Sequence, residues 1–214
     1  MKVLENQVTY ETTNSYTTLN ALTEKTKNVW IVFHGIGYLS KYFLKYFDEL
    51  PSNENYIIAP QAPSKYYLNN QYRHVGASWL TKENTANETQ NVLNYLDAVY
   101  NAVNIPADCK LIIFGYSQGV SIATRWVVKR QLDCQQLILY AGGIPKELTP
   151  RDFKFIIENN TNVTTLVGNK DEYINAAILQ SESERITDLF SGNANQVIFQ
   201  GKHEIKKELL NQFL

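Results

Sequence analysis

The stretch LIIFGYSQGVSIATRWV, residues 111–127, decides the fold because its apolar period changes in the middle. Residues 111–114 are continuously apolar, as in a strand that is buried on both faces. Residues 120–127 carry apolar side chains at three- and four-residue spacing, which predicts a helix. Two glycines flank Ser117 where the strand would give way to the helix. The sequence therefore predicts a very tight turn with Ser117 at its apex.

Composition and charge limit the class of protein. The chain has 214 residues, of which 44% are hydrophobic and 19% charged, as in a folded domain with a substantial core. A formal net charge of −1 gives no electrostatic reason to expect binding to nucleic acid or to an anionic membrane. Two cysteines, Cys109 and Cys134, are too few for disulfides to stabilise a domain of this size, so we expect reduced thiols. No signal peptide or 18-residue apolar span is recognisable, so we expect a cytoplasmic protein without a membrane span.

Predicted strands and helices alternate along the chain. Buried strands are predicted at residues 28–33, 56–59, 111–114, 136–140, 163–167 and 196–199. Such alternation predicts an α/β fold with a mostly parallel central sheet and helices on both faces.

The predicted domain organisation is simple. No linker or shift of composition divides the chain, so we expect one domain over residues 1–214. The connection at 141–162 is too short for a cap domain. Residues 1–21 are interpreted as an antiparallel edge hairpin of two polar strands, 6–12 and 16–21.

Polar residues follow three of the buried strands. Ser117 follows one strand, Asp171 the next but one, and His203 the last. Because ligands of such sheets bind outside the carboxyl ends of the strands, these side chains should converge at one edge. Their order along the chain is serine, aspartate, histidine.

The residues around Ser117 have the G-x-S-x-G pattern of a nucleophile elbow. A serine hydroxyl is a weak nucleophile and needs a base, itself oriented by a third group. We assign His203 as the base, partly by elimination, because one other histidine comes too early in the order and the third lies in an aromatic loop. Asp171 is assigned as the orienting carboxylate, and the adjacent Glu172 is the alternative.

Backbone N–H groups beside Ser117 would stabilise the oxyanion of a tetrahedral intermediate. One should belong to Gln118, the residue after the nucleophile. The second should come from the HGIG loop, residues 34–37, and we assign it to Ile36; an ordinary glycine turn is the alternative. No metal-ligand cluster or phosphate-binding glycine loop is recognisable, so neither a metal nor another cofactor is expected.

Six short motifs together resemble one family of enzymes. They are HGIG (34–37), PQAPS (60–64), SW (78–79), GYSQG (115–119), GNKDEYI (168–174) and GKHEI (201–205). The set is similar to that of the phospholipase/carboxylesterase family of α/β-hydrolases, which includes acyl-protein thioesterases and bacterial carboxylesterases. The resemblance covers residues 28–214. It implies a serine hydrolase without a cap domain, whose triad and oxyanion donors are Ser117, Asp171, His203, Ile36 and Gln118.

The expected substrate is a small molecule, a short- to medium-chain carboxylic ester or a thioester, bound in an open and shallow crevice. The apolar wall of the crevice should come from residues after the oxyanion loop and in the aromatic loop 60–79: Tyr38, Leu39, Tyr66, Tyr67, Leu68 and Trp79. Alternatively, the aromatics of that loop only pack it onto the sheet. Two rival functions stay open, a non-catalytic binding protein on the hydrolase fold and a peptidase or lysophospholipase on it. The sequence predicts no oligomeric state.

Overall fold

The computed structural model describes residues 2–69, 71–174 and 176–214, which form nine strands and six α-helices. The strands are β1 (Tyr16–Leu19), β2 (Asn28–Phe33), β3 (Asn55–Pro60), β4 (Ser64–Tyr67), β5 (Val75–Ser78), β6 (Lys110–Tyr116), β7 (Gln136–Tyr140), β8 (Asn162–Gly168) and β9 (Ala194–Phe199). The α-helices are α1 (Ser40–Phe43), α2 (Thr85–Val103), α3 (Gln118–Arg130), α4 (Lys154–Glu158), α5 (Ala176–Leu189) and α6 (Lys207–Leu210).

Seven strands form one sheet in the order β1-β3-β2-β6-β7-β8-β9. β1 runs antiparallel to β3, and every other neighbouring pair is parallel. The mostly parallel sheet predicted from the alternation is therefore confirmed. The aromatic loop is more ordered than expected, because β4 and β5 pair within it as a separate antiparallel ribbon.

The central strands bury both of their faces. In β2, Val29 and Ile31 point into a core that includes side chains of α2 and α3. Trp30 and Val32 alternate with them and point into a second core with side chains of α1 and α6. Because a helical layer covers each face, every residue of β2 is buried and the strand reads as a continuous apolar run.

The N-terminal segment differs from the predicted hairpin over residues 1–21. Within the described residues 2–15 no strand forms, and the large apolar side chains there are mostly exposed. The backbone around Asn14 and Ser15 is held by the main sheet instead: Asn14 Nδ2 donates to the carbonyl of Gln61, and the carbonyl of Ser15 accepts from the Gln61 N–H. Tyr95 also donates to that carbonyl of Ser15. These bonds direct the chain along β3, so a single edge strand, β1, takes the place of the hairpin.

Candidate active site

Ser117 lies in a strained turn between β6 and α3. Its φ and ψ are 52° and −119°, a combination that residues with a side chain rarely adopt. A Cβ added at Gly119 would lie 2.1 Å from the carbonyl oxygen of Phe33, and one at Gly115 would lie 2.7 Å from the carbonyl oxygen of Gly119. No side chain fits at either distance. The two glycines around the serine are therefore required because strand and helix pass so close together.

Ser117, His203 and Asp171 form one chain of hydrogen bonds. His203 Nε2 lies 3.0 Å from Ser117 Oγ, and His203 Nδ1 lies 2.8 Å from Asp171 Oδ2. The Asp171 side chain is fully buried, and its other oxygen accepts the backbone N–H of Tyr173 at 3.0 Å. An ionised carboxylate only accepts hydrogen bonds, so it holds the proton on Nδ1 and leaves Nε2 free to accept from the serine. This arrangement can activate a hydroxyl as a nucleophile.

Glu172, the alternative acid, points elsewhere. Its exposed carboxylate accepts the backbone N–H of His203 at 3.4 Å rather than a ring proton. Its own backbone N–H is the main group that lowers the pKa of this carboxyl, with a further contribution from the N–H of His203. Of the two adjacent carboxylates, Asp171 is the one that contacts the imidazole.

In the loop after β2, the N–H of Ile36 is not used by the turn that the loop forms. The N–H of Tyr38 donates to the carbonyl of Gly35 at 3.3 Å and closes a tight turn, in which Gly37 has a φ of 85°. The N–H of Gly37 donates to the carbonyl of Ala77 at 2.9 Å. Among the described residues, no acceptor takes the N–H of Ile36. The N–H of Ile36 therefore remains available to a ligand.

A second free N–H lies at the start of α3. Gln118 is the first residue of this helix, and no acceptor in the described parts of the chain takes its backbone N–H. The first N–H groups of a helix have no partner within it and carry partial positive charge. Gln118 and Ile36 line the same cavity as Ser117 and His203. An oxygen atom bound beside the serine could receive both hydrogen bonds.

His34 is a buried residue to which the sequence assigned no role. Its Nδ1 lies 2.8 Å from the carbonyl oxygen of Gly35, and its Nε2 accepts the N–H of Ala62 at 3.2 Å. These partners require a neutral ring with its proton on Nδ1. Burial lowers the pKa of His34 to about 4, although the hydrogen bond to Gly35 acts in the opposite direction. The only signal in the sequence was its position at the head of HGIG.

A cavity of about 920 Å³ opens beside Ser117, at the upper end of the range for small-molecule sites. It extends between α5 and the sheet formed by β7, β8 and β9. Its apolar lining includes Leu139, Val167, Ile174, Ile178, Ile186 and Ile198. The cavity is larger than the shallow crevice expected from sequence.

Of the residues expected in the apolar wall, Tyr38 and Trp79 differ in their surroundings. Tyr38 does line the cavity. Trp79 is fully buried and donates its indole N–H to the carbonyl of His34 at 2.8 Å. The alternative interpretation, that Trp79 packs the loop onto the sheet, therefore describes its surroundings.

The other expected wall residues lie outside the cavity lining. Tyr66 and Tyr67 belong to the β4–β5 ribbon and are exposed, as is Leu68 just beyond it. Leu39 is half-buried against the core that contains α2 and α3. The pairing of β4 with β5 holds these aromatic side chains away from the cavity, whose wall comes from α5 and the sheet instead.

Three further features of the described residues concern the cysteines, possible metal ligands and the length and apolarity of the helices. Cys109 and Cys134 are free thiols, and burial raises the pKa of Cys134 to about 12. Across residues 2–69, 71–174 and 176–214, no group of three or more His, Cys, Asp or Glu side chains is arranged to hold a metal ion. In the same residues, no helix has the length and apolarity needed to cross a bilayer.

The fold is shared with several solved structures. Acyl-protein thioesterase 2 from Zea mays is 14% identical with a TM-score of 0.69, over 94% of this chain and 96% of that chain. A phospholipase/carboxylesterase from Dyadobacter fermentans is 21% identical with a TM-score of 0.63, over 95% and 97%. The Bacillus cereus carboxylesterase is 15% identical with a TM-score of 0.64, over 94% and 91%. At such identities the likeness establishes the fold, and it confirms the predicted α/β-hydrolase architecture.

The family assignment rests on the sequence as a whole. No curated protein sequence matches the chain. The pattern of the family described as Phospholipase/Carboxylesterase matches residues 14–214, nearly the full length. The chain therefore belongs to the phospholipase/carboxylesterase family of α/β-hydrolases.

Proposed function

We propose that this hydrolase cleaves carboxylic esters or thioesters of short to medium acyl length through an acyl-enzyme on Ser117. The observation that carries the proposal is the hydrogen-bonded chain from Ser117 through His203 to the buried Asp171, with contacts of 3.0 and 2.8 Å. Three groups so arranged activate a serine for acyl transfer.

The reaction proceeds in two halves. His203 Nε2 takes the proton of Ser117 as Oγ bonds to the substrate carbonyl carbon. The C–O or C–S bond of the tetrahedral intermediate then breaks, and the imidazolium protonates the departing alcohol or thiol. In the second half, water attacks the acyl-enzyme and gives its proton to His203. The acid is released as that proton returns to Ser117.

The free N–H groups of Ile36 and Gln118 stabilise the oxyanion in both halves. They are fixed before the substrate arrives, so little reorganisation is needed when negative charge develops on the carbonyl oxygen. Loss of one such donor typically costs about 10²–10³ in kcat.

The acyl chain occupies the cavity under α5. The apolar lining there would gain about 0.8 kcal/mol for each methylene taken from water. Activity should therefore rise with acyl length until the cavity is filled. Tyr38, which lines the same cavity as Ser117, would contact the substrate near the ester group.

We place this protein in the cytoplasm and treat it as a single domain. The two thiols are both free, as expected for a reducing compartment. One sheet, from β1 to β9, joins the elements that carry the triad, so residues 1–214 are treated as one domain. The net charge of −1 favours a small-molecule partner over nucleic acid.

A panel of p-nitrophenyl esters of graded acyl length, run beside an acyl thioester, tests the proposal. kcat/KM should rise with chain length, then level off, without a jump at a lipid–water interface. A fluorophosphonate should label Ser117, as located by peptide mass spectrometry. A protein that binds the esters without turnover or labelling would be the binding protein considered above. Cleavage of peptides, or of lysophospholipid in preference to simple esters, would identify the other rival.

A further inference from the structure

We propose that Trp79 is a positioning residue that fixes the relative positions of the two oxyanion donors, the backbone N–H groups of Ile36 and Gln118. This inference rests on the proposed function. Trp79 lies directly after β5, is fully buried and does not line the cavity. Its two N–H groups bond to two different parts of the site, one to each donor segment.

The first contact is with Gln118. The backbone N–H of Trp79 donates to Gln118 Oε1 at 2.9 Å. Gln118 Nε2 donates to the carbonyl of Leu80 at 2.7 Å and to Ser78 Oγ at 3.1 Å. Three successive residues therefore hold one side-chain amide. The backbone N–H of the same glutamine is the free donor at the start of α3, so these bonds fix where that donor lies.

The second contact is with His34. The indole N–H of Trp79 donates to the carbonyl of His34 at 2.8 Å, and the two rings lie 5.0 Å apart. His34 Nδ1 in turn donates to the carbonyl oxygen of Gly35 at 2.8 Å. That carbonyl and the N–H of Ile36 belong to one planar trans peptide, in which they point in opposite directions. Fixing the oxygen of Gly35 therefore fixes the direction of the Ile36 N–H.

The two donors need such a connection because they come from different elements. Both must lie about 2.7–3.1 Å from one oxyanion to act together. One follows β2 and the other follows β6, and neither backbone N–H is held by a hydrogen bond of its own among the described residues. A displacement of about 1 Å can cost about 10²-fold in rate. Trp79 joins the two segments through hydrogen bonds at both ends.

The chain offers a matched control for a packing role. Trp126 is equally buried and donates its indole N–H to Asp97 Oδ1 at 2.9 Å. Both indoles meet the ring of Phe33 edge-on, with centroids 5.7 Å away for Trp79 and 5.9 Å for Trp126. In the described residues, the side chain of Trp126 forms no hydrogen bond or ring contact with residues 34–38 or with Gln118. Only Trp79 should affect the oxyanion.

The experiment compares Trp79→Phe with Trp126→Phe. Each removes a buried indole N–H and should lower the melting temperature by a similar amount. Trp79→Phe should lower kcat by about 10- to 100-fold, with KM within about twofold, because the loss falls on the transition state. The affinity for a boronic acid that forms a tetrahedral adduct should fall by the same factor. Trp126→Phe should leave kcat and boronate affinity within about twofold of wild type.

The outcomes separate this inference from the proposed function. Equal losses of kcat in the two variants, or unchanged boronate affinity in Trp79→Phe, would overturn the positioning role while wild-type turnover stands. A wild-type protein without esterase activity or Ser117 labelling would overturn both. If Trp79→Phe does not fold, Gln118→Met cuts the other contact and keeps the backbone donor. It should lower kcat and boronate affinity together, and a loss confined to KM would refute the role.

Discussion

The two walls of the cavity are built in opposite ways. The wall proposed to bind the oxyanion, residues 34–38 and 78–80 (the oxyanion wall), is held together by directed hydrogen bonds of His34 and Trp79. Trp79 also joins it to Gln118 of α3. The wall proposed to bind the acyl chain, α5 with the facing side chains of β8 and β9 (the acyl wall), is open. Ile178 of α5 is 42% exposed and Ile198 of β9 is 57% exposed, although both are large apolar residues.

The acyl wall is secured mainly near its far end. Phe190, just past α5, is buried and packs on Phe153 with ring centroids 4.7 Å apart. The guanidinium of Arg185 donates to the carbonyls of Ile144 and Pro145 at 2.7 Å.

Gln196 of β9 also donates to the carbonyl of Ser183 and to Thr187 Oγ1 in α5. Apolar side chains of the helix, such as Ile178, line the cavity and could contact a ligand there.

The contrast agrees with the roles proposed for the two walls. Stabilising an oxyanion requires donors in a narrow range of distance and angle. Burying a hydrocarbon chain requires only apolar area, because the hydrophobic effect has no preferred direction. We expect substitutions in the oxyanion wall to change kcat for every substrate, and substitutions in the acyl wall to change which substrates are preferred.

The largest effect should come from the nucleophile between the two walls. Ser117→Ala should lower kcat by about 10⁶, the loss typical when a triad serine is removed. Binding in the acyl wall should survive, so the variant should still bind a non-hydrolysable ester analogue in calorimetry. Labelling of another serine by a fluorophosphonate would contradict the assignment.

Next in size is the acid. Asp171→Asn should lower kcat by about 10⁴, because the amide no longer favours the correct tautomer or stabilises the imidazolium. Circular dichroism should show a folded protein. Glu172→Gln is the matched control, since its carboxylate reaches the backbone of His203 and not the imidazole. Steady-state kinetics with the effects reversed would place the acid one residue further along.

The sequence was sufficient to predict the residues of the site that depend on local pattern. The turn at Ser117 and the positions after the parallel strands predicted the residues that the structure brings together. The part of α5 in the acyl wall was missed because no local pattern in 176–189 shows that side chains of this helix line the cavity. The two interpretations of Trp79 stayed open because an aromatic residue in a loop has the same pattern whether it lines a cavity or bonds to a buried carbonyl.

A third prediction concerns the titration of His34 in the oxyanion wall. The pKa of this ring is about 4 in the folded protein and near 6.5 when it is exposed, so the unfolded chain binds the proton first. The neutral ring's contribution is complete above pH 6.5 and is lost as pH falls toward 4. Integrated over this window, the free energy of unfolding should fall by about 3 kcal/mol.

Urea unfolding between pH 7 and 4 measures this loss. His34→Asn should flatten the curve, since the amide can still donate to Gly35 but does not titrate. His74→Asn, at an exposed position between β4 and β5, should keep the wild-type slope. An unchanged slope in His34→Asn would show that other groups cause the acid sensitivity.

The smallest effect should come from the acyl wall and should depend on the substrate. Ile198→Trp adds bulk to the cavity lining at a half-exposed position on β9, where the fold should tolerate it. If the indole displaces about two methylenes of the acyl chain, the loss is about 1.6 kcal/mol. That is about 15-fold in kcat/KM for the longest good ester, while the shortest ester should be unaffected. Tyr67→Trp changes an exposed ribbon residue outside the cavity and should leave the chain-length profile unchanged. An equal loss for all esters in Ile198→Trp would contradict binding of the acyl chain in this cavity. A shifted chain-length profile in Tyr67→Trp would indicate that the acyl chain binds at the β4–β5 ribbon, and either result would remove the distinction between the two walls.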